Sequence, residues 1–450
     1  MKIIVIGNGK IGQTIVKNVC KEGHDITIID NDPDVVNQMI DSFDVMGIVG
    51  NGACLDIQKE ANVKNADLVV AVTSSDEINL LSCFIAHKLG ASDTIARVRD
   101  PQYIKQLQFM KDDLGLSMSI NPEYESAKAI SRILTFPSAL NVETFAKGKM
   151  ELVELQIEQG SILDGAALFS LPNKLKTKVL VCAVERNEEV IIPVGNFTLQ
   201  ANDKIHVAAS HQDLIKFFQK INKMEKLRNI MVIGAGKITY YFLQLVTKSK
   251  YNIKIIEKDQ TLCNTFSENF SNVDIIEGDG TNQTVLESEG IEGIDAFLAL
   301  TGDDEKNIIV SMFADKREAK KIIAKVNNST LNNMMDTIGM ASVFSPKEII
   351  ADQVISYIRA KANKRGSNVT TLYKLVDQRV EALEFVVKKK GKYVNVPLKD
   401  LKLKPNIIIA GIIRGNEVII PDGNTSIQLD DNVIVITTDA FLEDLTEILG

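Results

Sequence analysis

The stretch that decides the fold has the sequence VIGNGKIG at residues 5–12, and it returns as VIGAGKIT at residues 232–239. Each copy follows a β-branched run and opens an apolar-periodic stretch, which predicts a strand, a tight glycine turn and a helix. Glycines at such a turn let the backbone approach a pyrophosphate, which then lies at the positive N-terminus of the helix. The repeat therefore predicts two nucleotide-binding folds in one chain.

An acidic residue follows each glycine loop at the same distance. Asp30 lies 23 residues after Gly7, Glu257 lies 23 residues after Gly234, and each acid closes a second β-branched run. A carboxylate at this position accepts hydrogen bonds from ribose hydroxyls and repels a 2′-phosphate. Asp30 therefore favours NAD, ATP or ADP over NADP as the ligand of the first loop.

The repeat extends along the whole chain. Residues 49–52, 67–73, 76–79 and 95–98 match residues 277–280, 295–301, 304–307 and 323–326. Residues 186–196 match residues 414–424 at eight of eleven positions and predict a β-hairpin followed by a Pro-x-Gly-Asn break. The predicted fold class is α/β, with two tandem Rossmann-like parallel-sheet domains, each followed by a small β-rich α+β domain.

Lapses in apolar periodicity predict the domain boundaries. We expect nucleotide-binding domains at residues 1–135 and 228–360 and β-rich domains at residues 150–220 and 370–450. The run at residues 146–149 is expected to separate the first two domains, and basic runs at 220–228 and 360–368 are expected to act as linkers.

Composition narrows the class of protein. A net charge of −8 argues against a nucleic-acid partner. No segment approaches the ~20 apolar residues of a membrane span. Five dispersed cysteines without CxxC spacing indicate a reducing cytosol rather than disulfides or a metal site.

Polar residues follow the apolar runs that predict the first parallel sheet. Asn51, Thr73, Ser74 and Arg97 are expected at the carboxyl ends of strands, where a doubly wound sheet forms its ligand crevice. Thr73 and Ser74 can donate to phosphate or ribose, and Arg97 offers a guanidinium suited to phosphate. Arg97 has an alternative, which is to pair with Asp67 or Asp93.

The second loop departs from the first. Thr239 replaces the third glycine and is expected to push the following helix outward slightly, because that glycine serves close helix–strand packing. Glu257 is one methylene longer than Asp30, and Lys325 replaces Arg97. Lys10 and Lys237 occupy matched places, where each either offsets pyrophosphate charge or is an exposed first-turn lysine.

No catalytic residue is predicted. The four histidines have no counterparts in the opposite half of the chain, and no cysteine is paired with a base in its sequence context. Hydride transfer needs a proton donor in a substrate pocket, and the β-rich domains repeat no cluster of such residues. An NAD-dependent oxidoreductase stays open as the alternative to a protein that binds nucleotide without reaction.

The tandem pattern resembles the RCK family, also called KTN, of potassium-transport regulators. The resemblance is carried by GNGKIG, IID, GNGA, DLVVAVTSSDEIN and ARVRDP, together with the repeated EVIIPxGN hairpin. It implies NAD(H) or ATP/ADP as ligands of the Rossmann-like domains, and ligand or interface modules in the β-rich domains. It also implies assembly as a dimer or tetramer ring on a membrane-embedded potassium pore subunit, at the inner face of the cell membrane.

The resemblance implies two matched sets of binding residues. The first site would comprise Gly7, Asn8, Gly9, Lys10, Ile11, Gly12, Asp30, Asn51, Thr73, Ser74 and Arg97. The second site would comprise Gly234, Ala235, Gly236, Lys237, Ile238, Glu257, Asp279, Thr301 and Lys325. We further expect the stretches 123–134 and 347–358 to pack between domains, and nucleotide occupancy to shift the ring between two shapes that open or close the pore.

Overall fold

A computed structural model of the chain describes residues 1–187, 189–222, 226–338, 342–363, 369–375, 379–438, 442 and 444–450. The chain divides into two compact units. One comprises Met1–Ser131 with Arg228–Ile358, and the other comprises Arg132–Leu227 with Arg359–Gly450.

The first unit begins with a Rossmann-like half. Its elements are β1 (Lys2–Ile6), α1 (Lys10–Val19), β2 (Asp25–Asp30), α2 (Pro33–Ser42), β3 (Met46–Val49), α3 (Leu55–Glu60), β4 (Leu68–Ala71), α4 (Asp76–Leu89), β5 (Thr94–Arg97), α5 (Pro101–Met110), β6 (Met118–Ile120) and α6 (Pro122–Thr135). The strands pair in parallel in the order β3-β2-β1-β4-β5-β6. The order reverses between β1 and β4, and a crevice forms at that point at the carboxyl ends of the strands.

The first β-rich domain follows. Its elements are β7 (Asn141–Phe145), β8 (Met150–Gln156), α7 (Leu171–Leu175), β9 (Leu180–Arg186), β10 (Glu189–Ile191), β11 (Lys204–Ser210) and α8 (His211–Lys220). The sheet is antiparallel in the order β10-β9-β11-β8-β7. The predicted hairpin is present, since Glu189 of β10 pairs with Arg186 of β9.

The second Rossmann-like half repeats the first. Its elements are β12 (Asn229–Ile233), α9 (Lys237–Val246), β13 (Asn252–Glu257), α10 (Gln260–Asn269), β14 (Val273–Glu277), α11 (Gln283–Ser288), β15 (Ala296–Ala299), α12 (Asp304–Lys316), β16 (Lys321–Lys325), α13 (Ser329–Ile338), β17 (Ser342–Phe344) and α14 (Pro346–Asn363). Its parallel sheet has the matching order β14-β13-β12-β15-β16-β17.

The last domain repeats the β-rich sheet. Its strands are β18 (Val369–Leu375), β19 (Val380–Val386), β20 (Ile407–Arg414), β21 (Glu417–Ile419) and β22 (Asn432–Thr437), in the order β18-β19-β22-β20-β21. The two β-rich sheets contact each other through an apolar cluster that includes Cys182, Ala208, Ala410 and Ile434. The predicted fold class is therefore confirmed for both kinds of domain.

Burial and capping explain why the parallel sheets form where the sequence predicts them. β4 and β5 are buried at every position, as expected for strands covered on both faces by helices. Ser75 caps α4 by accepting from the Ile78 N–H, and Asp303 caps α12 by accepting from the Lys306 N–H. Each cap therefore fixes a helix start directly after a strand end in the crevice.

The helix α14 contacts the opposite half of its unit. Ile350, Ala351, Val354 and Ile358 lie in the same apolar cluster as Ile15 of α1. This agrees with the packing role expected for the stretch 347–358. Because the cluster joins the two halves, the two crevices belong to one body.

One expected boundary is wrong in its local detail. The run at residues 146–149 forms the turn between β7 and β8, where Phe145 pairs with Met150 in one antiparallel sheet. It therefore lies inside the β-rich domain, because the sheet gains an extra edge strand before it. The linkers expected at 220–228 and 360–368 include residues 223–225 and 364–368, which lie outside the described residues.

Candidate nucleotide-binding sites

The first glycine loop packs too closely for side chains at two of its three glycines. Gly7 has φ +89°, and a Cβ there would lie 2.7 Å from the Thr73 Cα. A Cβ on Gly12 would lie 2.2 Å from the Gly7 carbonyl oxygen. Gly9, by contrast, has open space around it, and it directly precedes α1. The backbone at Gly9 can therefore be approached closely by a ligand.

Asp30 lies directly across the turn from this loop. Its Oδ2 accepts from the Asn8 N–H at 2.6 Å, and its Oδ1 accepts from the Asp32 N–H at 3.1 Å. The buried Asn8 side chain donates to the Ile29 carbonyl oxygen at 3.2 Å. A carboxylate has about four acceptor positions, so two remain for ribose hydroxyls.

Lys10 and Ile11 begin α1 with different surroundings. Lys10 is exposed at the first helical position, whereas Ile11 is half-buried against the apolar cluster beneath the helix. Exposure leaves the Lys10 ammonium free to approach an anion at the helix N-terminus, and it equally satisfies the alternative of a solvated first-turn lysine.

The second glycine loop preserves the contact between loop and acid despite its changed residues. Glu257 Oε2 accepts from the Ala235 N–H at 2.7 Å, while Oε1 accepts from the Lys258 and Asp259 N–H groups at 2.8 and 2.9 Å. The longer side chain therefore reaches the same main-chain position as Asp30. Ile238 is buried, and Lys237 is exposed at the first position of α9.

Thr239 is accommodated where the first loop requires glycine. Its Oγ1 donates to the Gly234 carbonyl oxygen at 2.6 Å, and the residue is fully buried. A Cβ on Gly234 would approach the Leu300 carbonyl carbon at 3.3 Å, which is looser than the 2.7 Å approach at Gly7. Gly234 therefore approaches the end of β15 less closely than Gly7 approaches the end of β4, and Gly236 again has open space around it. The outward displacement of the helix expected from Thr239 stays a prediction.

The loop after the third strand also repeats its geometry. A Cβ on Gly52 would lie 2.1 Å from the Ile6 Cγ2, and one on Gly280 would lie 2.4 Å from the Ile233 Cγ2. Each glycine lets its loop lie over the end of the first strand in its half of the chain. The neighbouring Asn51 and Asp279 are thereby placed at the crevice, and both are exposed.

Asn51 and Asp279 organise these loops with their side chains. Asn51 Oδ1 accepts from the Ala53 N–H at 2.9 Å. Asp279 Oδ1 accepts from the Thr281 N–H at 2.9 Å and from the Thr281 hydroxyl at 2.7 Å, and these bonds lower the pKa of Asp279. The second crevice thus has an ionised carboxylate where the first has an amide.

Thr73 and Thr301 direct their hydroxyl groups inward. Thr73 Oγ1 donates to Asn79 Oδ1 at 2.7 Å, and Thr301 Oγ1 donates to Asn307 Oδ1 at 2.7 Å. The Thr73 proton is thereby engaged within the protein, which leaves the hydroxyl oxygen as an acceptor. Ser74 is exposed beside it and can present its hydroxyl to a ligand.

The buried Asn79 and Asn307 were not assigned a role from the sequence. Asn79 accepts from the Thr73 N–H at 2.8 Å and donates to the Arg97 carbonyl oxygen at 2.9 Å. Asn307 accepts from the Thr301 N–H at 3.0 Å and donates to the Lys325 carbonyl oxygen at 2.8 Å. Each asparagine ties together two strand ends of its crevice. The sequence shows that the asparagine recurs in both repeats, but it does not show which groups the side chain contacts.

Arg97 is largely buried at the end of β5. Its Nη2 donates to the Thr73 carbonyl oxygen, and its Nε has no hydrogen-bond partner. Burial, followed by the positive charge of Arg99, lowers the pKa of Arg97 to about 10, so the group stays charged. The contact with Thr73 at the carboxyl end of the sheet differs from the pairing with Asp67 or Asp93 considered from the sequence.

Lys325 occupies the matching position in the second half. It is half-buried, and burial lowers its pKa while the charge of Asp304 opposes the shift. A polar cavity of about 570 Å³ lies nearby, lined among others by Lys10, Asp303, Asp304 and Lys347. Lys10, which follows the first glycine loop, therefore lines the same cavity as the strand-end loops of the second half.

Comparison with solved structures shows where the same fold occurs. A structure described as GsuK channel bound to NAD aligns with a TM-score of 0.65 at 16% identity, covering 97% of this chain and 77% of that one. The GsuK RCK domain aligns with a TM-score of 0.63 at 15% identity, covering 97% of this chain and 92% of that one. The fold is therefore that of a tandem RCK protein.

Comparison with protein families narrows the class to one family. The TrkA-N domain matches residues 3–122 and 230–346, and the TrkA-C domain matches residues 152–222 and 382–450. The chain belongs to the TrkA family.

Curated relatives align along the whole chain. A Trk system potassium uptake protein TrkA homolog from Archaeoglobus fulgidus is 32% identical, with 100% of both chains covered. Homolog 1 from Methanosarcina mazei is 33% identical, with 97% of both covered. TrkA from Vibrio alginolyticus is 30% identical, with 97% of this chain and 95% of that protein covered. Within the described residues, no helix has both the length and the apolar composition needed to span a bilayer.

Proposed function

We propose that this protein is a nucleotide-binding regulatory subunit that gates a membrane potassium uptake channel or transporter. The observation that carries the proposal is the repeated crevice, in which a glycine-loop N–H faces an acid at 2.6 Å in the first half and 2.7 Å in the second. The relatives that align over nearly their full length are named as Trk system potassium uptake proteins, and this supports potassium uptake as the process that the crevices regulate.

The two sets of residues named from the sequence form the proposed binding sites. In the first, the N-terminus of α1 and Lys10 would hold the phosphates, and the free acceptor positions of Asp30 would hold the ribose. In the second, the N-terminus of α9, Lys237 and Glu257 would take these roles. The open space at Gly9 and Gly236 fits the close approach of a pyrophosphate.

NAD(H) or ATP/ADP are the proposed ligands. Structures of the RCK protein GsuK are described with NAD and with ADP bound, and the ADP-bound one aligns with a TM-score of 0.51 at 13% identity, covering 80% of this chain and 69% of that one. The carboxylates at 30 and 257 disfavour a 2′-phosphate, which supports NAD over NADP.

Gating follows from a difference in affinity between two arrangements of a ring. A nucleotide that binds one arrangement tenfold better stabilises it by about 1.4 kcal/mol per site, and several sites in a ring add to this. We propose that the chain forms a dimer or tetramer ring in the cytoplasm, peripheral at the inner face of the membrane. Its partner would be a TrkH/TrkG-like pore subunit. We also propose that the four domains of the ring-forming chain span residues 1–135, 150–220, 228–360 and 370–450.

Calorimetry on the full chain tests the binding step. NADH, NAD, ATP and ADP are titrated into the native protein, Asp30→Ala and the control Asp25→Ala. Asp25 is exposed at the opposite end of the same strand, so its loss should leave binding unchanged. We expect Asp30→Ala to weaken the tightest site at least tenfold. No binding of any of the four ligands would remove the basis of the proposal.

Potassium uptake tests the gating step. Cells that lack other potassium uptake systems are supplied with the pore subunit and either the native chain or Asp30→Ala. Uptake that depends on the native chain and changes with Asp30→Ala supports gating by nucleotide. Turnover of NADH with a small substrate would favour the first alternative, an NAD-dependent oxidoreductase. Nucleotide binding without an effect on potassium uptake would favour the second, a nucleotide sensor that acts on another partner.

A further inference from the structure

Tyr241 joins the second glycine loop to the first half of its unit. It lies one turn into α9, four residues after Lys237, and only 3% of its surface is exposed. Its hydroxyl donates to the Arg99 carbonyl oxygen at 2.8 Å and accepts from Asn121 Nδ2 at 3.0 Å. One side chain of the second half therefore holds two loops of the first.

The Arg99 segment that Tyr241 contacts belongs to the first crevice. The Arg99 guanidinium donates to the Ser74 carbonyl oxygen at 2.6 Å. The N–H groups of Arg99 and Asp100 both donate to Asp76 Oδ2 at 2.8 Å. A displacement of the Arg99 main chain is thus transmitted directly to the loop that carries Ser74.

The remaining contacts fix the tyrosine ring and its proton. Asn121 Oδ1 accepts from the Tyr124 N–H at 2.8 Å, and the rings of Tyr124 and Tyr241 meet edge to face with centroids 5.5 Å apart. Burial raises the pKa of Tyr241 well above its usual value, so the hydroxyl stays a donor at neutral pH. The hydroxyl can therefore donate to the Arg99 carbonyl oxygen throughout the neutral pH range.

The first half has no equivalent contact at the matched position. Thr14 stands on α1 where Tyr241 stands on α9, and its hydroxyl donates to the Lys10 carbonyl oxygen of its own helix at 2.8 Å. The hydroxyl-mediated link therefore runs from the second glycine-loop helix to the first crevice and is not duplicated by Thr14.

We propose that Tyr241 is a positioning residue that couples the two nucleotide crevices. Phosphate bound at the N-terminus of α9 shifts a rigid helix, the hydroxyl carries the shift to the Arg99 carbonyl group, and Arg99 carries it to Ser74. By linkage, ligand in the first crevice acts on the second with an equal free energy. The proposal rests on the proposed function, because it requires nucleotide in both crevices.

A thermodynamic cycle on the full chain tests this coupling. ADP is titrated into the native protein, Glu257→Ala, Tyr241→Phe and the double variant, and the dissociation constant of the first site is compared. In the native background, Glu257→Ala should change that constant at least fivefold. In the Tyr241→Phe background, the same substitution should change it less than twofold.

Tyr240→Phe is the matched control. The Tyr240 ring packs edge to face against Phe266 and Phe270, at 6.2 and 5.3 Å between centroids, and against the Tyr241 ring at 5.9 Å. Phenylalanine keeps the ring in these three contacts and removes only the hydroxyl group. This variant should retain the native coupling. Equal coupling in the native and Tyr241→Phe proteins would overturn the proposal, as would two occupied sites without coupling or a second crevice that never binds. If the native protein bound no ADP at either crevice, the result would instead contradict the proposed function itself.

Hydrogen exchange gives a second test that does not need the tyrosine variant to fold. In Asp30→Ala, ADP is directed to the second crevice. Protection of the amides at residues 97–100 should then change on addition of ADP. Unchanged protection at these residues, with ADP bound at the second crevice, would overturn the coupling.

Discussion

Arg186 holds the buried carboxylate of Asp203 through two parallel hydrogen bonds, Nε to Oδ1 and Nη2 to Oδ2, both at 2.7 Å. The second β-rich domain repeats the pair, with Arg414 donating to Asp431 at 2.9 and 2.8 Å. In each domain the arginine also donates to a main-chain carbonyl group, at Thr198 or Ser426. The pair therefore closes the repeated hairpin against the turn that precedes β11 or β22.

Asp203→Ala should destabilise the first β-rich domain by about 2 kcal/mol, because it removes the acceptor of both charge-assisted hydrogen bonds from the Arg186 guanidinium. Asp203 is 1% exposed, and it also accepts from the Gln200 N–H at 2.8 Å. Equilibrium urea denaturation measures the loss, and Asp431→Ala should give a similar value. Lys216→Ala is the control, since its exposed pair with Asp213 spans 3.5 Å and should contribute less than about 1 kcal/mol. An effect of Asp203→Ala no larger than that of the control would contradict the structural role.

His206 predicts a loss of stability at acidic pH. Burial, followed by the charge of Lys204, lowers its pKa to about 4 from 6.5, and its Nε2 has no hydrogen-bond partner. The unfolded chain therefore binds a proton that the folded chain does not, so this stability is present above pH 6.5 and is lost as the pH falls towards 4. A shift of this size corresponds to about 3 kcal/mol.

His206→Ile tests whether His206 causes this loss of stability at acidic pH. Isoleucine is chosen because Ile434 occupies the matching place in the second β-rich domain, where it pairs with Glu384 as His206 pairs with Glu154. Urea midpoints measured between pH 4 and 7 should fall less steeply in the variant. His211→Gln is the control. Hydrogen bonding to Glu151 raises the pKa of His211, so the stability that this histidine contributes is present below pH 6.5 and is lost above it. The variant should therefore leave the acid slope unchanged. An unchanged acid slope in His206→Ile would assign the loss to other groups.

Two glycines of the first loop should separate stability from binding. Gly12→Ala places a methyl group 2.2 Å from the Gly7 carbonyl oxygen and should cost about 1–3 kcal/mol through displacement of α1. Gly9→Ala has open space and a φ of −68°, so the fold should be retained while the methyl group blocks the approach of phosphate. Thermal unfolding and ADP calorimetry on both variants measure the two effects. Equal stability in both variants would contradict the packing argument.

Asn79→Ala should remove the hydrogen bonds that link the end of β4 to the end of β5. It removes the acceptor of the Thr73 N–H and hydroxyl, and the donor to the Arg97 carbonyl group. Leaving these buried groups unpaired costs about 1–3 kcal/mol each, and nucleotide affinity at the first crevice should fall. Asn307→Ala should weaken the second crevice in the same way, and it should act on the first crevice only indirectly, through the coupling proposed above. Calorimetry on both variants checks this selectivity, and equal loss at both crevices would contradict it.

The sequence was most informative where local geometry and repetition coincide. Glycine at positions 7 and 12 is required by a turn of a few residues, and the acids at 30 and 257 close the next strand, so the spacing alone predicts the loop and its acid. The same repetition matches Asn79 with Asn307 but does not indicate a role for either residue, because the groups that each asparagine contacts lie on strands distant in sequence. Arg97 shows the limit more clearly, since its carbonyl contact at Thr73 depends on the order of β4 and β5 in the sheet.

The sequence by itself determined the kind of fold, its duplication and the residues that surround both glycine loops. Periodicity, glycine spacing and charge act over one or two elements, and these properties are visible along the chain. Only the tertiary structure decided which groups meet across the repeats, such as Tyr241 with Arg99, or within one β-rich domain, such as Arg186 with Asp203. Those contacts depend on how helices and strands pack against distant neighbours, where burial selects partners that sequence spacing does not specify.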